Sequence, residues 1–384
     1  MAKSLKNRYD FDTLSVGTGA VLGVGYIYKA YLIDYNPKMK TYLSCLLCVW
    51  ACLVSSVPNA IAQISQNNNT PSIRVIGGLA TGNRFSKLEQ PFWNQEIKQA
   101  SNGKFIAEII PYDQAGIPGQ EMLRMMQLGV LPFATLQLSQ IATKYPEFTA
   151  VDLAGYHSHI DSALALTQKL RPQLEDALAK RFGIKLLSIY AYPAQVLFCN
   201  YAFTQLSDLK GRRVRVASPM TADFIEALGA IPVITTFSEV MPNMRNKNFD
   251  CVVTGARSGN SIGLHQLTTH MHTMPLSFGI SVLAANIQAW GRLPDDLKTL
   301  LLNRLPKLEH DIWQDARDDM ALGIACNQGN AEICTAGKLG QMQIIRPNSN
   351  DEKLRVKIYK EAVLPKWIQR CGPTCAQMVP RLPS

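Results

Sequence analysis

Ile73 to Gly78 alternates apolar and polar side chains and ends in glycines, which predicts a short strand. From Phe85 to Ala100 the apolar positions Leu88, Phe92, Trp93, Ile97 and Ala100 fall near helical spacing, with Pro91 expected in the first turn. Ser101-Asn102-Gly103 stops that helix, and Phe105 to Ile110 reads as a second strand. Gly119 to Leu128 is an amphipathic helix and Phe133 to Leu138 a third strand. This rhythm argues for a mostly parallel sheet with helices on its faces.

The rhythm resumes with a helix at 162–182, strands at 184–190, 195–202 and 213–217, a helix at 219–228 and a strand at 231–235. Ser238 to Arg245 reads as a helix capped by Ser238, with Glu239 in its first turn. Phe249 to Thr254 and Pro275 to Ala285 read as the last strands of this body. A long helical region follows from Leu293 to about Gln328 through Pro306, then a short strand at Ile344-Ile345 and a helix over 351–370.

The N-terminal pattern differs. Met39-Lys40-Thr41-Tyr42, an apolar run from Leu43 to Val57 and the Ala60-Ile61-Ala62 end have the form of a secretory signal peptide spanning 39–62. Residues 1–38 are then expected to be an upstream extension, with translation starting at Met39. Cys52 offers a lipoprotein alternative, which the bulky Trp50 disfavours.

Composition now changes the picture. The 384 residues carry a net charge of +10. Losing residues 1–62 removes six Lys/Arg and three Asp/Glu, leaving +7. A basic exported protein with no Lys/Arg run of five or more points to a small anionic ligand and not to nucleic acid. The nine cysteines fall to six, an even number suited to an oxidising compartment. Cys371/Cys375 and Cys326/Cys334 are the first local pairings to test.

Candidate catalysis is thin. His157/His159 and His270/His272 have i, i+2 spacing, but no carboxylate or cysteine cluster completes a metal set nearby, so they read as solvated or turn histidines. Gly259-Asn260-Ser261-Ile262-Gly263 matches a nucleophile-elbow pattern, with Asp295 and His310 later in the chain. The expected strand ends at Thr254 with no clear helix after it, so a glycine-rich turn fits better than a nucleophile at Ser261. No catalytic set and no cofactor motif emerges.

The segment Asp208-Leu209-Lys210-Gly211-Arg212-Arg213-Val214-Arg215-Val216 resembles the "DLKGLKIRV" stretch of the DctP-like solute receptors of tripartite ATP-independent periplasmic (TRAP) transporters. Ala100 to Phe105, the Gly119 to Leu123 helix start, Phe237-Ser238-Glu239-Val240, Phe249-Asp250 and Trp290 to Leu297 resemble family segments in the same order. The resemblance covers about Ile73 to Ile368.

It implies an α/β, two-lobe periplasmic-binding-protein-like (type II-like) fold, with central mixed sheets and a long helix spanning both lobes. One lobe would comprise 72–192 with 281–292 and the other 193–280. Residues 293–330 would form the spanning helix, with 331–384 packing on the lobes. It also implies a periplasmic monomer or dimer that is not an enzyme, needs no cofactor, traps a small organic anion between its lobes and hands it to separate membrane subunits.

Arg215 matches the family arginine whose planar fork grips a ligand carboxylate. Phe237, Ser218, Thr254 and Gln195 carry over as further contacts, with Glu121 and Asn83 from the first lobe. Phe249-Asp250-Cys251-Val252-Val253-Thr254-Gly255 departs from the common "VDGQENP" form, which points away from dicarboxylates and sialic acid. A monocarboxylate with a less polar body, aromatic or a keto or hydroxy acid, fits better. The rival readings are a sensor-associated or tricarboxylate-type binding protein and an exported hydrolase.

Overall fold

The computed structural model describes residues 72–80 and 84–378. The expected extension over 1–38, the signal peptide over 39–62 with Cys52, and Asn83 lie outside the described residues.

Eleven strands form two sheets among the described residues. In chain order they are β1 (Ser72–Gly77), β2 (Ile106–Pro111), β3 (Phe133–Gln137), β4 (Ile184–Tyr190), β5 (Gln195–Cys199), β6 (Arg213–Val216), β7 (Ile231–Ile234), β8 (Cys251–Gly255), β9 (His270–Ser277), β10 (Ser281–Asn286) and β11 (Gln343–Ile345). The first sheet runs β2-β1-β3-β10-β4 and the second β11-β9-β5-β8-β6-β7. Both are mixed. β1 is parallel to β2 and β3, and β6 to β7 and β8, whereas β10 and β5 run antiparallel to their neighbours.

Burial follows position in the sheet. β2, at an edge, alternates exposed and buried side chains, while every residue of the interior strand β10 is buried.

The chain passes between sheets twice, at 191–194 and at Phe278-Gly279-Ile280. The second passage corrects the single strand expected over 275–285. Gly279, at φ +60°, breaks the run, and its amide and that of Phe278 bond the Asp152 carboxylate at 2.8 Å each. The two passages lie side by side, with the Tyr192 amide donating to the Phe278 carbonyl at 2.9 Å.

The helix Asp295–Gln328 is a third link, continuous through Pro306. Leu297, Leu301, Leu305, Leu308 and Ile312 are buried in one core with Trp93, Ile97 and Phe133 of the first sheet's side. Trp313 Nε1 donates to the Ile189 carbonyl at 2.9 Å. Farther along, Asp319 takes a 2.6 Å ion pair from Arg257, and Asn327 Nδ2 donates to the Ala256 carbonyl at 2.8 Å. Gly323 allows the close approach: a Cβ there would meet the Arg257 amide nitrogen at 2.5 Å.

Other expectations are refined. Pro91 lies inside a helical stretch that already starts at Arg84, flanked by π-type turns at Phe85–Glu89 and Phe92–Glu96, the register that accommodates its missing N–H. The cap near 238 is Thr236, not Ser238: Glu239 Oε2 accepts from the Thr236 amide at 3.0 Å and its hydroxyl at 2.9 Å. Cys326 pairs with Cys334 and Cys371 with Cys375, and the remaining two, Cys199 and Cys251, pair directly across β5 and β8.

Each histidine pair splits: His159 is an exposed cap of the helix Ile160–Phe182 and His270 is half-buried, as expected of turn or solvated histidines, whereas their partners are buried. His157 is buried, with Nε2 donating to the Val151 carbonyl at 2.9 Å. His272 is buried against Asp351 at 3.3 Å. No group of three or more His, Cys, Asp or Glu side chains converges as a metal site among the described residues. No described helix is long and apolar enough to cross a membrane.

Candidate functional site

β6 sets the centre of the site. Its sequence, Arg213-Val214-Arg215-Val216, places both arginines on one face of the strand, yet their surroundings differ. Arg213 is half-exposed, and its guanidinium grips Asp250 through Nη2 at 2.9 Å and Nε at 3.3 Å. Arg215 is 2% exposed. Its Nε and Nη2 donate to the Thr235 carbonyl at 3.2 and 2.6 Å, and Nη1 donates to the Val253 carbonyl at 3.1 Å.

Among the described residues no carboxylate lies within ion-pair distance of Arg215. Of its five N–H donors, one on Nη1 and one on Nη2 have no protein acceptor there. Burial alone pulls its pKa down to about 10, opposed by the Glu239 charge, so the group stays cationic at neutral pH.

Arg215 lines a cavity, partly open to solvent, whose walls come from both sheets. Ser218, Phe237, Thr254 and Gln195 line the same cavity. Ser218 caps the helix Pro219–Ala227, accepting the Thr221 amide at 3.2 Å. Thr254 is buried on β8, and half-buried Phe237 sits in the turn after β7. Gln195 opens β5 just after the first passage, its Nε2 donating to the Pro193 carbonyl at 2.7 Å.

Glu121 is not brought to this cavity. It is exposed on the helix Gly119–Gln127, 4.0 Å from Arg124, and faces a separate depression beside Lys144 and Tyr145. That helix buries Met122, Leu123 and Met126, which turns Glu121 outward.

The wall opposite Arg215 comes from residues that the sequence reading did not single out. Gln137, at the end of β3, donates from Nε2 to the Tyr192 hydroxyl at 2.8 Å, and the same hydroxyl accepts Arg84 Nη2 at 2.9 Å. The Arg84 guanidinium also stacks 4.0 Å over the Tyr192 ring. Asp152 lines the cavity as well. Burial pushes its carboxyl up to about 7, although the amides of Phe278, Gly279 and Ile280 favour the anion. The sequence does carry a signal for Asp152: a lone acid in the otherwise uncharged run Phe148 to Tyr156.

Ser261 differs from its expected setting. β8 runs directly into the helix Ala256–Ile262, so a strand-to-helix turn does exist, but Gly255 and Ala256 occupy it. Ser261 is exposed near the far end of that helix, its hydroxyl donating to the Ser258 carbonyl at 2.9 Å. A nucleophile elbow needs the serine at the turn itself.

Residues 82–321 match the profile of bacterial extracellular solute-binding protein family 7, the DctP family. This chain belongs to that family. A solute-binding protein of Roseobacter denitrificans is 25% identical over 179 residues, which is 46% of this chain and 54% of that protein. The match thus spans about half the length of the curated relative.

Among solved structures, an extracytoplasmic solute receptor of Bordetella pertussis binding pyroglutamic acid superposes with a TM-score of 0.70 at 20% identity, over 81% of this chain and 98% of that one. A TRAP periplasmic solute binding protein of Desulfovibrio desulfuricans with bound sn-glycerol-3-phosphate gives 0.70 at 15%, over 81% and 96%. One of Shewanella oneidensis with bound succinate gives 0.66 at 19%, over 81% and 98%. At these identities the likeness establishes the two-lobe fold.

Proposed function

We propose that this DctP-family chain is the solute receptor of a TRAP transporter, and that it holds a small organic acid by its carboxylate at Arg215. One observation carries the reading: a buried guanidinium that has no carboxylate partner among the described residues lines the cavity, with one N–H on each Nη unclaimed by a described acceptor. A carboxylate oxygen for each N–H meets that donor set, and the low dielectric of the cleft strengthens the pair. Bound acids in the solved relatives, pyroglutamate and succinate among them, support the ligand class.

Phe237, Thr254 and Gln195 give the ligand an aromatic face and neutral polar contacts, which suits a monocarboxylate with a hydroxy, keto or cyclic body. The receptor works in the periplasm and delivers its ligand to separate membrane subunits driven by an ion gradient.

Calorimetry on the purified protein with a panel of organic acids tests this. Removing one partner of a buried charge pair costs on the order of 3–5 kcal/mol. Arg215→Ala is therefore expected to weaken the best acid at least ~100-fold, and Arg215→Lys less. Unchanged affinity in Arg215→Ala removes the proposed role.

A further inference from the structure

Two charged side chains line the Arg215 cavity among the described residues, and they are of opposite sign: Arg215 and Asp152. A second cavity adjoins the first through Leu79, Gln137, Gln140 and Phe237 and adds another acid, Asp113, whose carboxylate accepts the Ala80 amide at 2.8 Å. Among the described residues the cleft therefore offers one cation and two carboxyl groups. The carboxylate of a ligand satisfies the cation, and the charged side chains left for any further negative charge are both acids.

Asp152 is fixed in place. Its Oδ1 accepts the Phe278 amide and its Oδ2 the Gly279 amide, both at 2.8 Å. The carboxylate has about four lone-pair sites and the amides of Phe278, Gly279 and Ile280 take three, which leaves one acceptor position on a group that lines the cavity.

We propose that Asp152 is a specificity-determining residue, the second pole of the site, which accepts a hydrogen bond from an O–H or N–H on the ligand body and rejects a second carboxylate. The ligand class narrows to monocarboxylates that carry a donor, hydroxy acids and lactam acids foremost. Plain aliphatic acids lack the donor and leave Asp152 buried against an apolar surface, while dicarboxylates bring like charge to it. The amides that hold Asp152 belong to a passage joining the two sheets, so the selecting group, at the end of the turn Pro146–Asp152, is bonded to a segment about which the lobes would close.

This inference rests on the carboxylate reading of Arg215, and the test separates the two. The purified wild-type protein is titrated at pH 8.5, where the Asp152 carboxyl is ionised, with three size-matched sets: butanoate and cyclopentanecarboxylate, hydroxybutanoates and pyroglutamate, and succinate and glutarate. The best donor-bearing monocarboxylate is expected to bind at least tenfold more tightly than the best member of either other set. In Asp152→Asn that preference over dicarboxylates is expected to shrink at least fivefold.

Dicarboxylates binding as tightly as donor-bearing acids in the wild type overturn the inference, and so does an unchanged preference in a folded Asp152→Asn. Should Asp152→Asn fail to fold, the wild-type ranking decides alone. Acid binding that Arg215→Ala abolishes but whose ranking ignores charge and donors overturns this inference only. Acid binding indifferent to Arg215→Ala, or no acid binding, overturns the underlying reading and this one with it.

Discussion

The two walls of the cleft are built in different ways. The wall from the second sheet is a set of strand and turn positions between 213 and 254, with Arg215 on β6, Phe237 after β7 and Thr254 on β8. A disulfide between Cys199 and Cys251 ties two adjacent strands of that sheet. The facing wall is assembled from dispersed pieces: Gln137 at a strand end, Asp152 at the end of a 3-10 turn, and Tyr192 on a passage between sheets. Among the described residues no disulfide ties the first sheet; its side is held by burial and by the Arg84–Tyr192–Gln137 hydrogen bonds. One wall is a covalently stapled sheet surface that presents a cation. The other is a polar network that depends on several loops keeping their places.

Breaking the staple sharpens this contrast most. Cys199–Cys251 closes a 52-residue separation that contains β6, β7 and the helix between them. Loop-entropy arguments put the loss on removal at about 2–4 kcal/mol. Chemical denaturation of Cys199→Ser/Cys251→Ser should show that drop in stability. A smaller drop would mean that the hydrogen-bonded ladder between β5 and β8 already suffices.

Acid probes the unstapled wall. His157 is buried next to the turn that carries Asp152, with Nε2 on the Val151 carbonyl and Nδ1 3.0 Å from the Ser162 hydroxyl. Burial pulls its pKa down to about 4. Between pH 4 and 6.5 the unfolded chain binds the extra proton and the folded one does not, so this group's contribution to stability rises with pH across that window and is lost on acidification. A shift of that size corresponds to ~3 kcal/mol. Asp152 acts in the opposite sense: its raised pKa means that the folded state keeps a proton which the unfolded chain releases from about pH 4 upward, so its contribution falls as pH approaches 7. The stability difference between wild type and His157→Gln isolates the histidine, and it should grow in favour of wild type from pH 4.5 to 6.5. A flat difference would place the acid sensitivity elsewhere.

Tyr192→Phe is a smaller disturbance of the same wall. It keeps the ring under Arg84 but removes the hydroxyl that accepts both Arg84 and Gln137. Arg84 retains Glu89 at 3.2 Å, so the expected loss is ~1–2 kcal/mol, read as a lowered melting temperature. If the wall is a network and not a single contact, ligand affinity should fall together with stability.

How much of this was legible in the sequence follows the same division. The β6 arginine, Ser218, Phe237 and Thr254 lie on or just after short strands, alternating in β6 and continuously apolar in β7 and the start of β8, and a motif resemblance supplied their register. Gln137, Asp152 and Tyr192 converge through tertiary placement of loops, which no local period encodes. Glu121 shows the converse error: a helix start was recognised correctly, but the helix turns that residue to solvent because Met122, Leu123 and Met126 take the buried face. The change of sheet at Gly279 was hidden because apolar residues continue on both sides of it, and only a positive φ and the amide bonds to Asp152 mark the break.

The smallest expected effect is the most pointed control. Arg213 and Arg215 are two residues apart on one strand face, and a slip of two in the sequence match would exchange them. Their partners tell them apart. Arg213 spends its fork on Asp250, which is also bonded by the Arg213 amide at 2.8 Å, and its side chain is 44% exposed. A solvent-screened ion pair of this kind contributes little to stability. Arg213→Ala should therefore change ligand affinity less than about threefold and leave the melting temperature nearly unchanged, since the fork it loses faces Asp250 and not the cavity. Paired calorimetry on Arg213→Ala and Arg215→Ala reads the contrast directly. Equal losses of affinity would mean that the stapled wall acts through its total positive charge, and the distinction drawn from burial and partners would fall.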